Sequence, residues 1–212
     1  MFSKTVFHRF INKLIFLSFL TLSFSASAQK YVEGQHYNLV AINATKPANK
    51  SEHPQVVEYF SFSCPGCYAM ESSVVNLEKV IKGLELSRVH MPFGGQHAKY
   101  SQKVFALMEL LDAHQHKDAV FRRIHVSRNP FNSNDEIVGF YSDLGFEKAK
   151  VEAMLASFSA DSLIRKMNKD AVKYKVKTVP TIIVNDKYEV NIRALPQTNS
   201  LLGIVQYLHT LP

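Results

Sequence analysis

Only two of the 212 residues are cysteine, Cys64 and Cys67, so the chain has no disulfide framework and relies on an apolar core, which its length can supply. No second Cys-x-x-Cys or His-x₃₋₅-His unit accompanies the pair at zinc-finger spacing, although His36, His90 and His97 are available to complete a half-site. Internal repeats and low-complexity tracts are absent. No apolar run beyond residue 28 is long enough to cross a bilayer. Basic residues are scattered, with local clusters at Arg122-Arg123 and Lys173-Lys175-Lys177, and lack the aromatic interleaving that single-stranded nucleic acid needs. They describe a solvated surface with some attraction to acidic partners.

What is present begins with Lys4, Arg9 and Lys13, an apolar run from Leu14 to Leu22, and then Ala26-Ser27-Ala28. This is the pattern of a cleaved secretory signal peptide with a small-x-small cleavage site, and it points to a bacterial envelope. An uncleaved anchor would need roughly 20 apolar residues, more than this run offers. Cleavage removes three positive charges and no negative one, so the formal +7 falls to +4 over the 184 residues from Gln29. In an oxidising compartment a lone cysteine pair reads as functional rather than structural.

The pair sits where the period changes. Gln55-Val56-Val57-Glu58-Tyr59-Phe60 is a β-branched and aromatic run that predicts a buried central strand, while Met70, Val74, Leu77 and Ile81 recur at helical spacing. Pro65 suits a first helical position, which makes Cys64 the residue capping the helix. There the first-turn N–H groups and the helix dipole favour a thiolate, the reactive form of the sulfur. Cys67 follows on the same helical face, within disulfide reach and one turn inward. An exposed attacking sulfur beside a sheltered resolving one predicts redox exchange. A structural disulfide is the alternative.

Along the rest of the chain a polar lead-in precedes a strand over 37–42, residues 43–51 form a loop, and Gly83 ends the cysteine helix before a strand over 85–91. This βαβ order implies parallel pairing and a right-handed crossover. After Pro92-Phe93-Gly94-Gly95 the pattern turns helical. A stripe runs from Tyr100 to Leu111, a short element holds Phe121, Ile124 and Val126, a capping box opens at Ser133-Asn134-Asp135-Glu136, and further helices cover 147–156 and 160–174. Thr181 to Val184, a two-residue turn at Asn185-Asp186, and Lys187 to Ile192 predict a hairpin, and Leu201 to Leu208 a closing amphipathic helix.

This order, with Glu58-Tyr59-Phe60-Ser61-Phe62 before Cys64-Pro65-Gly66-Cys67-Tyr68, Glu71, Pro92-Phe93-Gly94-Gly95, and Val179-Pro180 before Val184-Asn185-Asp186-Lys187-Tyr188, resembles the DsbA family of thiol-disulfide oxidoreductases over essentially the whole chain. The resemblance implies an α/β thioredoxin fold with an inserted all-helical domain: signal peptide 1–28, first part of the thioredoxin domain 29–93, helical insertion 94–166, second part 167–212. It implies that Cys64 and Cys67 introduce disulfides into exported proteins in the periplasm, that Pro65 and Gly66 complete the motif, and that a quinone-linked membrane protein of the DsbB type reoxidises the pair. No metal or organic cofactor is required. It further implies a cis Val179-Pro180 bond beside the disulfide, with the Val179 backbone free to pair with an extended substrate. The family motif usually carries His where this chain has Gly66. Losing that support for the thiolate implies a higher Cys64 pKa and a milder oxidant.

Glu58 lies among residues covered on both strand faces. Burial beneath Cys67 would raise its pKa and make it a proton acceptor and donor for that thiol, the alternative being a rim position at the strand end. Glu71 is expected as a solvated first-turn carboxylate, and no histidine is assigned a ligand or catalytic role. A reductase or isomerase would use the same cysteines, but isomerases of this superfamily usually dimerise through an N-terminal domain, for which the roughly thirty residues before the Cys64 strand leave no room. A chaperone-like binder would keep its binding after loss of Cys64.

Overall fold

The computed structural model describes residues 31–47, 51–93, 95–195 and 200–212; the expected signal peptide, Gly94 and part of the 43–51 loop lie outside them. Five strands form one sheet in the order β1-β5-β4-β2-β3. β2, Gln55–Phe60, pairs parallel with β3, Glu85–His90, and antiparallel with β4, Thr181–Val184. β4 pairs antiparallel with β5, Tyr188–Val190, which pairs with β1, Tyr37–Leu39. Helix α1, Pro65–Val80, is the crossover between the two parallel strands. The βαβ order read from the sequence is therefore present, with β2 inside the sheet and β3 at its edge.

Alternation along β2 decides what each sheet face covers. Val56 packs with Ile182 and Val184 against Met70, Val74 and Leu77 of α1 and Leu201, Ile204, Val205 and Leu208 of α7, Ser200–Thr210. Tyr59 and Ile183 belong to the other core, which continues into the helices between β3 and β4. These are α2 (Ala98–Leu110), α3 (Lys117–His125), α4 (Asn134–Asp143), α5 (Lys148–Leu155) and α6 (Phe158–Lys173). Phe60, Phe62, Phe105 and Phe121 bury completely or nearly so and interlock at ring separations of 4.9 to 6.2 Å, joining the Cys64 loop to α2 and α3. Each such ring contributes about 2–3 kcal/mol of burial. Tyr59 Oη also donates to Asp170 of α6 at 2.8 Å. Among the described residues no helix is long and apolar enough to cross a membrane.

Several expected boundaries move, each for a local reason. The cysteine helix ends at Val80, with Ile81 as its cap, and Gly83 lies beyond it at φ +75°, where an added Cβ would collide with the His53 ring. β1 stops at Leu39 rather than 42: the Val40 amide still reaches the Lys187 carbonyl opposite it, and the Asn43 amide then folds the chain back onto Val40. The hairpin loop has three residues, not two: Val184 pairs with Tyr188, and Asn185 and Asp186 both take left-handed φ. Asn185 is drawn away from β5 by Gln55, whose amide donates to its side chain at 3.0 Å and whose carbonyl accepts from its amide at 2.7 Å. β5 ends at Val190, and Ile192–Ala194 form a 3₁₀ turn instead of continuing the strand.

Candidate active site

Cys64 caps α1 in an extended conformation, φ −91° and ψ 117°, with Pro65 opening the helix. Its amide donates to Ser61 and its carbonyl accepts from Tyr68, so the loop and the first turn hold it from both sides. The sulfur lies 3.5 Å from the Val179 carbonyl, and the Val179-Pro180 peptide is cis. A Cβ at Gly66 would lie 3.4 Å from Pro180 Cδ and 3.7 Å from the Cys64 sulfur. The glycine thus leaves the approach to the sulfur open. Cys67 is fully buried, and both thiols are free.

The two sulfurs titrate in opposite directions. Cys64 is pulled down to about 6, first by the hydrogen bond that the Cys67 thiol donates to it, then by the first-turn amides of Cys67 and Gly66, with burial opposing and His125 adding a favourable charge. Cys67 is pushed up by giving that hydrogen bond and by burial, and the Glu58 carboxylate adds to the effect. The Cys67 thiol and the helix-start amides, not a side chain between the cysteines, support the Cys64 thiolate.

Glu58 is 1% exposed, on the sheet face that α1 covers. Its register partner across the parallel pair is Arg88, so the two side chains leave the same face, and Arg88 Nε meets Glu58 Oε2 at 2.8 Å. Burial outweighs this pairing and raises the Glu58 carboxyl, while Arg88 and Lys117 pull it down. Oε1 of Glu58 remains buried without a hydrogen-bond partner. The rim alternative for Glu58 is thereby excluded.

Glu71 corrects its expectation. It lies two turns into α1 rather than in the first turn, and Lys117 from α3 meets it at 2.5 Å, with Arg88 at 4.0 Å. The sequence hides this ion pair because its members are 46 positions apart. Sequence reasoning also left out two histidines: His90 Nε2 accepts from the Phe62 amide at 3.0 Å, and His125 Nε2 meets the Phe62 carbonyl at 2.8 Å. Only the position of His90 inside a strand pattern hinted at burial.

Beside Cys64 opens a groove of about 620 Å³, lined by Ala69, Met70, Val179, Pro180, Ile192 and Leu201 among others. Its lining is mostly apolar, with Ser73, Thr178 and Arg193 as polar members.

A thiolate-favouring cysteine at a helix start, a buried partner thiol and a proline loop across the sulfur define a thioredoxin-fold dithiol–disulfide exchange enzyme. The chain belongs to the family of DSBA-like thioredoxin domains, whose pattern it matches over residues 55–202. It is 30% identical over 185 residues to the thiol:disulfide interchange protein DsbA of Pseudomonas aeruginosa, with 87% of each chain covered. The crystal structure of Pseudomonas aeruginosa DsbA is 28% identical, with a TM-score of 0.71 over 84% of this chain and 93% of that one. Proteus mirabilis DsbA, solved with a non-covalently bound peptide PWATCDS, shares the fold at 23% identity and a TM-score of 0.69, covering 85% of this chain and 98% of that one. The protein is a disulfide-forming thiol:disulfide oxidoreductase.

Proposed function

We propose that the protein works in the periplasm, where its Cys64–Cys67 disulfide oxidises cysteine pairs in newly exported proteins. The observation that carries this reading is the opposed titration of the two sulfurs, Cys64 drawn down to about 6 and Cys67 pushed up. Stabilising the reduced pair in this way makes the disulfide a ready acceptor of electrons.

A client thiolate attacks the Cys64 sulfur, the Cys64–Cys67 bond breaks, and Cys67 leaves with the bonding electrons and takes up a proton. Glu58, kept protonatable by burial, supplies that proton and accepts it back when the pair is reoxidised. A second client thiolate attacks the client sulfur bound to Cys64. The client disulfide forms, and Cys64 departs as a thiolate, a good leaving group because its pKa is low. An extended client segment lies in the apolar groove, its backbone beside Val179 and Pro180. The dithiol returns to disulfide by passing two electrons to a quinone-linked membrane protein of the DsbB type.

Oxidative refolding of a reduced, unfolded model protein tests the reading. The wild-type disulfide form is expected to transfer its bond stoichiometrically, Cys64→Ser to transfer none, and Cys67→Ser, first loaded at Cys64 as a mixed disulfide with glutathione, to release glutathione and accumulate a mixed disulfide between Cys64 and the client. Transfer that survives Cys64→Ser contradicts it.

A further inference from the structure

Phe62 lies two residues before Cys64, and histidines from different parts of the fold take both polar groups of its backbone. His90, the last residue of β3, accepts from its amide. His125, the last residue of α3, meets its carbonyl at 2.8 Å. A carbonyl only accepts, so Nε2 of His125 carries the hydrogen, and Nδ1 is where a second proton would go. The His125 ring stacks on Tyr68 at a centroid separation of 5.0 Å and an interplanar angle of 4°. Tyr68 in turn stacks on Phe121 and donates its amide to the Cys64 carbonyl. His125 is thus anchored to the Cys64 loop at one end and to the first turn of α1 at the other.

The two histidines differ in what they can do. Full burial pushes His90 down to about 3, so it stays neutral and serves as a fixed acceptor. His125 is only half-buried, and its positive charge acts on Cys64 in the direction that favours the thiolate. Tyr68 faces it from α1, and its charge reaches Cys64 at the cap of that helix. Glu71, one turn further along α1, is occupied by Lys117. On its own helix Arg122 is exposed, and Arg123 is held by Glu136 at 3.0 Å. Among the described residues no carboxylate forms an ion pair with His125.

We propose that His125 is a positioning residue for the exchange reaction: through Phe62 and Tyr68 the helical insert sets an imidazolium beside the Cys64 thiolate and makes its stability depend on pH. While the ring is protonated the thiolate faces a cation, and when the proton leaves, that support is lost. The coupling is reciprocal, so a Cys64 thiolate must strengthen proton binding at His125 in the dithiol form relative to the disulfide form.

The inference rests on redox exchange at Cys64, whichever direction the cell uses. Its first test needs no variant: the His125 ring resonance is titrated by NMR in the disulfide and dithiol forms. A midpoint about half a pH unit higher in the dithiol form is expected, and coincident midpoints overturn the proposal. The second test is His125→Gln, which keeps a donor for the Phe62 carbonyl but never carries charge. Followed by thiolate absorbance at 240 nm, Cys64 is expected to titrate about half a pH unit higher, and the equilibrium constant for oxidising glutathione to fall about threefold. A purely structural role would lower the melting temperature and leave both readouts in place, which overturns the proposal. Failure of the wild-type pair to exchange with glutathione would instead overturn the exchange reading beneath it.

Discussion

At the scale of single residues the site sets two oppositely titrating sulfurs beside one buried carboxylate. Because Cys64 is drawn down to about 6, alkylation of the reduced protein by iodoacetamide is expected to reach half its maximal rate near that pH and to level off above it. A profile still rising through pH 8 would show an ordinary thiol. The proposed mechanism gives Glu58 its role at the other sulfur. Glu58→Gln removes the proton acceptor for Cys67 and is expected to slow reoxidation of the dithiol at pH 7 by about 10- to 100-fold while leaving alkylation of Cys64 nearly unchanged. It also leaves Arg88 without its closest carboxylate, which costs about 1–3 kcal/mol in a denaturation midpoint. Equal reoxidation rates in the two proteins would remove Glu58 from the chemistry.

Elements were legible where a local rule acts and obscure where distant residues decide. β2 is read to its exact ends because six β-branched, polar and aromatic residues fit a covered strand, and the start of α1 because Pro65 marks it. The capping box at Ser133 is likewise visible in sequence, and Ser133 Oγ accepts from the Glu136 amide at 3.2 Å. Ser133→Ala is expected to destabilise the protein by about 1 kcal/mol with no change in the redox equilibrium, since α4 does not touch the cysteines; a shifted equilibrium would tie the cap to the site. The start of α6 was missed by two residues because Ser157 caps it and an exposed Phe158 follows, against the expectation that phenylalanine belongs in a core. The hairpin loop and β5 were misjudged because Gln55, 130 positions from Asn185, holds the turn.

For the whole molecule, the cysteines couple redox state to stability. Cys64 binds its proton more weakly in the folded dithiol than in the unfolded chain, where a cysteine titrates near 9.0. The folded dithiol therefore gains stability as pH rises from about 6 toward 9 and loses it as pH falls through 6, while the disulfide form has no thiol proton to exchange. The melting temperature of the reduced protein relative to the oxidised one is expected to be more favourable at pH 8 than at pH 5. A difference that ignores pH would mean that the thiolate is not stabilised by the fold. Family membership and the two cysteines were readable from motif and order alone. The clasp of Phe62 by His90 and His125, and the Glu71–Lys117 link, were not, because each joins residues far apart in sequence that only tertiary packing brings together.

The central claim is that this fold makes the Cys64–Cys67 disulfide an oxidant without a side chain at position 66. The most direct measurement is the equilibrium of the mature protein with glutathione, read by alkylation of the two cysteines. A potential well above the roughly −300 mV of structural disulfides is expected, together with a Cys64 that titrates below neutral pH. A strongly reducing potential with Cys64 titrating like a free cysteine would contradict it and assign the protein to disulfide reduction or isomerisation.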